Sequence, residues 1–231
     1  MSDSANHISS RELRTPRAAA IAGIIFAALY SASYILILRA VPAFSVDSGA
    51  WLASRSGNVY FAVSLLPFAG IAFLWFMAVV RDGLGHLEDQ FFSTLFFGSG
   101  LLYLAMTFLA ASIGGALLSL NAIDPGHVVD EGMFALTRAI GHKITTVYAI
   151  RMAGMFMIVL GTIWLRTALM PRWLVIVTYV LAFVLLISIA WSQWIMMVFP
   201  LWVLLVSVVM LYREYGPGGL AGKAVSSGRG G

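Results

Sequence analysis

Six stretches of this chain are apolar for long enough to cross a bilayer, and no Asp or Glu lies inside any of them. A hydrocarbon core of ~30 Å takes about 20 helical residues to cross, and every backbone polar group must then be satisfied within the helix. These runs exclude a soluble fold. They predict an all-α fold, a polytopic helical membrane bundle of six transmembrane helices with an amphipathic helix in an outer loop. Of the 231 residues, 61% are hydrophobic and 10% charged, against about 45–50% and about 25% in soluble domains.

The predicted spans are 18–41 (stopped by Pro42), 59–80, 91–120, 145–165, 173–190 and 194–212. Only Trp191, Ser192 and Gln193 separate the last two. At about 1.5 Å per residue, one helix over both would be too long for a single span, so a tight hairpin is expected there. The first run exceeds a signal-peptide core of about 7–15 residues and reads as a retained span. Three parts result: a polar cytoplasmic segment at 1–17, the membrane domain at 18–212, and a Gly/Ser-rich flexible cytoplasmic tail at 213–231.

Charge sets the expected orientation. Arg11, Arg14, Arg17, Arg81, Arg166, Arg172, Arg213, Lys223 and Arg229 fall on one side of the spans. On the other side, Arg39, Arg55, Arg138 and Lys143 are diluted by Asp47, Asp124, Asp130 and Glu131. The positive-inside rule then makes both termini cytoplasmic. The net charge of +4 is explained by this asymmetry, and nucleic acid is not an expected partner.

Within the spans there is little chemistry. Lacking carboxylates, they lack the usual parts of proton relays and cation sites. Cysteine is absent, which removes thiolate nucleophiles and thiolate metal sites. Ser99, between Gly98 and Gly100, has no histidine in any span to serve as its base, and facing histidine pairs for haem are missing too. The chain therefore reads as non-catalytic, with no cofactor.

Arg151 is the one basic residue deep inside a run. Fourteen residues separate it from Arg166, about 21 Å of helix, which places it in the outer leaflet if Arg166 marks the inner boundary. Such a cation either braces its helix by snorkelling or marks a ligand or lipid-headgroup site. For the second reading the candidate residues are Arg151, Tyr148 and Arg138.

The outer loop, 121–143, has Asp124 and Pro125 as a helix start. Beyond them Val129, Met133, Leu136 and Ile140 share an apolar face, opposite His127, Glu131, Arg138 and His142. That pattern predicts an amphipathic helix lying on the outer surface or capping the bundle. Asp124, His127 and Glu131 form a weak metal candidate, lacking a compact second histidine.

Small residues at Ala19, Gly23, Ala27 and Ser31 repeat every four positions on the first span and are candidates for packing against a partner. Pro67 and Pro200 are expected to kink the second and sixth spans.

The segment 81–106, RDGLGHLEDQFFSTLFFGSGLLYLAM, resembles one found in small six-span integral membrane proteins of actinobacteria. The resemblance implies a bacterial cytoplasmic membrane and carries no known activity. The leading expectation is an accessory or assembly subunit packing against other membrane proteins or further copies of itself. The alternative is a carrier or binding protein for a lipid or small apolar molecule, with Arg151 at its polar end. In either case membrane lipids are expected partners.

Overall fold

The computed structural model describes residues 15–40, 48–84, 90–123, 131–188 and 193–215, and among them all regular structure is helical. Helix α1 spans Thr15–Ala40, α2 Ser48–Leu84, α3 Gln90–Ile123, α4 Glu131–Lys143, α5 Ile150–Thr167, α6 Arg172–Ile187 and α7 Val198–Tyr215. A π-helical segment, Ile144–Ala149, joins α4 to α5, and a 3-10 turn, Gln193–Met197, leads into α7.

Five helical rods are long and apolar enough to cross a membrane: 17–40, 57–82, 90–123, 132–167 and 194–214. Helix α6 has 16 residues, about 24 Å, and is the short member of the bundle. The hairpin expected before α7 falls mostly on residues outside the described ones. The surface is that of a protein in lipid. Phe61, Phe68, Ile71 and Trp75 on α2, and Ile176, Val180, Phe183 and Ile187 on α6, are all more than half exposed. Contiguous apolar stripes of this size are not tolerated facing water. The chain is a helical integral membrane protein.

Aromatic rings fill the centre. Phe73 of α2 lies 4.8 Å from Phe26 of α1, 5.4 Å from Phe156 of α5 and 5.6 Å from Phe199 of α7, centroid to centroid. Tyr103 of α3 reaches Phe199 at 4.6 Å. Hydroxyls tie on α6: Trp202 donates from Nε1 to Thr178 at 2.9 Å, and Thr162 pairs with Tyr179 at 2.8 Å.

The small-residue stripe of α1 faces inward. Ala19 and Ala27 are buried, and a Cβ on Gly23 would sit 2.1 Å from Ser207 Oγ of α7 and 3.0 Å from the Phe76 ring of α2. Ala19, Gly23 and Ala27, with half-buried Ser31 beside them, let α1 approach the chain's own helices. The stripe is thus occupied by the chain's own helices.

Pro200 also behaves differently from expectation. It stands in the first turn of α7, where the backbone donors have no helical acceptor in any case, and introduces no mid-helix kink. Its missing N–H cannot bond the Met196 carbonyl, and the chain ahead of it is wound as a 3-10 turn. Pro67, by contrast, does lie inside a helix, the 37-residue α2.

The amphipathic helix is present as α4, but it is not a separate surface element. It runs through the π segment into α5 as one rod. Its apolar face turns outward: Met133, Leu136 and Ile140 are 40%, 62% and 41% exposed, while Phe134 is buried. In lipid the apolar side of a helix turns outward and the more polar side turns to the bundle.

Candidate functional site

Where α1, α2, α3 and α4 diverge at one end of the bundle, they border a half-open cavity of about 300 Å³. Its walls are Tyr30, Ile37 and Leu38 of α1, Val59, Val63 and Leu66 of α2, and Thr107, Ala110, Ala111, Gly114, Leu117 and Leu118 of α3. Helix α4 covers it with Phe134, Thr137, Arg138, Gly141 and His142, and the π segment adds Thr145 and Thr146.

The space exists because small residues face it. A Cβ placed on Gly114 or on Gly141 meets nothing within 4 Å. These positions differ in kind from Gly23: they leave a void where Gly23 relieves a clash.

The wall is more apolar than its composition implies. Thr107 donates its hydroxyl to the Tyr103 carbonyl at 2.9 Å, Thr145 to Gly141 at 2.9 Å and Thr146 to His142 at 2.6 Å. Ser33 donates across to the Ala62 carbonyl of α2 at 2.6 Å. Hydroxyls bonded to helix carbonyls leave the threonine methyl groups to line the space.

The polar groups concentrate at the α4 side, where Arg138 and His142 are both exposed at the surface and part of the lining. Arg138 also engages its own chain. The small cluster of Ala40, Val59, Leu117, Leu118 and Phe134 packs beneath it. Deeper in, the buried Tyr103 hydroxyl lies against Tyr30 and Thr107, yet makes no hydrogen bond of normal geometry among the described residues.

Of the residues read from the sequence as a ligand site, only Arg138 lines this cavity. Arg151 is half-buried and donates from Nη1 to the Val147 carbonyl in the π segment at 2.7 Å. That is the bracing role, within its own rod. Tyr148 is 58% exposed and also stands away from the lining. The three candidates are thus not brought together: Arg138 lines the cavity, and Arg151 and Tyr148 do not. Asp124 and His127 lie outside the described residues, as does the Glu131 side chain, so the weak metal candidate is not placed.

Missed by sequence reasoning were Gly114, Ala111 and Gly141, whose signal was only their lack of bulk. A second recess, at the opposite end of the bundle, is bordered by Trp173, Tyr212 and Arg213. These are residue types that anchor at a membrane boundary. No family model, curated protein or solved structure matches the chain.

Proposed function

We propose that this membrane protein binds a small apolar or amphipathic molecule in the cavity roofed by α4, as a carrier or binding protein. The observation that carries the reading is the cavity itself. It is lined mainly by carbon, with Arg138 and His142 on its α4 side, features that suit a mostly apolar ligand with few oriented polar contacts. Membrane lipids are the nearest source of such molecules. The accessory-subunit reading drew on the α1 stripe, and with that stripe packed inside the chain no observation now favours it.

A bacterial cytoplasmic membrane with both termini inside would put the cavity in the outer half of the bilayer. This placement rests on the sequence resemblance and on the arginine-rich opposite end of the bundle.

The test is native mass spectrometry of the protein released gently from its own membrane, alongside Gly114→Phe. The open space at Gly114 lets the ring enter the cavity rather than a packed neighbour. The expected result is a defined small molecule on the parent chain and its absence from the variant. A bare parent chain, or equal retention by Gly114→Phe, would overturn the proposal.

A further inference from the structure

A buried hydroxyl without a partner stands at the inner end of the cavity, and it narrows the class of ligand. Resting on the binding reading above, we infer that the ligand enters with an uncharged oxygen acceptor of the carbonyl kind leading, and that this oxygen accepts a hydrogen bond from Tyr103 between Tyr30 and Thr107.

Helix geometry puts Tyr103 at the floor. The lining on α1 begins at Tyr30 and that on α3 at Thr107, with Leu66 of α2 and Met196 beside them. Tyr103 precedes Thr107 by four residues, so the two share one face of α3, a turn apart. Its hydroxyl lies against Tyr30 and Thr107, the residues at which the cavity ends. The ring cannot swing elsewhere. It packs at 4.6 Å on Phe199, 5.8 Å on Phe73 and 6.3 Å on Tyr30, centroid to centroid.

This hydroxyl differs from the others around the cavity. Thr107, Thr145 and Thr146 reach back to carbonyls of their own helices, and Ser33 reaches the Ala62 carbonyl. The Tyr103 hydroxyl, held at the far end of its ring, makes no hydrogen bond of normal geometry among the described residues. Leaving a buried polar group unpaired is costly, so a ligand atom that pairs with it is favoured over one that does not.

The chemistry of the partner follows. Thr107 already donates to the Tyr103 carbonyl at 2.9 Å, so the proton left to give at the floor is phenolic, and an acceptor must meet it. The inner residues Tyr30, Leu66, Thr107 and Met196 carry no charge. A carboxylate or phosphate brought there would be desolvated without a counter-charge. A ketone or ester carbonyl accepts the proton without that cost, and the apolar wall takes the rest of the molecule.

The experiment uses the full chain in nanodiscs of ether-linked phosphatidylcholine, a lipid without carbonyls, and titrates methyl nonyl ketone, undecane and undecanoate as probes. The ketone is expected to bind best, with its infrared carbonyl stretch lowered by the hydrogen bond. Tyr103→Phe should weaken the ketone by about fivefold, the scale of one neutral hydrogen bond, and abolish the shift, leaving undecane within about twofold. Without probe, the same variant should unfold at no lower temperature than the parent chain, because the hydroxyl has no partner to lose. A lower temperature would mean that the hydroxyl is already paired within the fold, and would overturn the inference. So would a preference for undecanoate, an unshifted carbonyl, or an equal effect of Tyr103→Phe on ketone and undecane. If no probe binds but a native molecule is lost in Gly114→Phe, the ligand class is wrong and the binding site stands. If Gly114→Phe changes nothing in either experiment, the binding reading itself falls.

Discussion

Two residues of similar appearance in the sequence have opposite meanings in the bundle. Gly23 and Gly114 both lie in apolar helices, but a Cβ at Gly23 would stand 2.1 Å from Ser207 Oγ whereas one at Gly114 meets nothing within 4 Å. Gly23→Ala should therefore destabilise by about 1–3 kcal/mol through overpacking. Ser207→Gly in the same chain should recover most of that loss, because the opposing oxygen is gone. Thermal unfolding of the two single variants and the double variant measures the coupling, and additive effects would mean that the close approach does not constrain α1. Arg151 gives a second residue-scale prediction. Its bond to the Val147 carbonyl makes it part of the rod, so Arg151→Leu should lower the unfolding temperature while leaving ligand retention intact. The sequence alone left two readings open, a brace for the helix or a ligand site whose loss would leave the bundle unharmed. Position along the chain gave the depth of Arg151 in the membrane but not the acceptor its own helix supplies.

The turn between α5 and α6 is a place where one element's ending is strained. Ala168 adopts φ 52° and ψ 22°, the left-handed region that commonly ends a helix and that glycine occupies without steric cost. Ala168→Gly should stabilise the protein by up to about 1 kcal/mol, and Ala168→Val should destabilise it. A fall in unfolding temperature for the glycine variant would show that the cap is not limiting. Elements were the most legible level of the sequence, because six apolar runs in lipid can only be helices. Their ends were less legible. Helix α2 begins at Ser48 and α3 runs to Ile123, both beyond the apolar cores of the runs. The inward face of α4 was not legible for a physical reason. A rule learned from water puts Met133, Leu136 and Ile140 inside, and lipid reverses it, leaving Phe134, Thr137, Arg138 and Gly141 to make the cavity roof. The cavity was therefore invisible from pattern alone, since it depends on where four separate helices fail to fill space.

At the scale of the whole molecule, contacts among arginines gather five helices at one end. Arg17 of α1 pairs with Glu214 of α7, and Arg213 donates to the Leu169 carbonyl in the α5–α6 turn. Arg166 of α5 lies 4.5 Å from the Phe92 ring of α3, and Arg81 of α2 lies 5.7 Å from that of Phe97. The start of α1 and the end of α7 are thus neighbours, which fixes an even number of crossings and makes α6 a true return despite its length. Because the chain has no cysteine, single substitutions Ser10→Cys and Ser227→Cys can be labelled without background. Both should react with an impermeant maleimide only after the membrane is opened, if the arginine end faces the cytoplasm as the positive-inside rule requires. Met133→Cys, on the outward side of α4, should react from the outside if α4 reaches the lipid boundary there. Labelling of Ser10→Cys and Ser227→Cys from opposite sides would contradict the Arg17–Glu214 pairing and with it the six-crossing bundle. Labelling of both from outside would keep the bundle and invert it, moving the cavity and its arginine to the cytoplasmic leaflet.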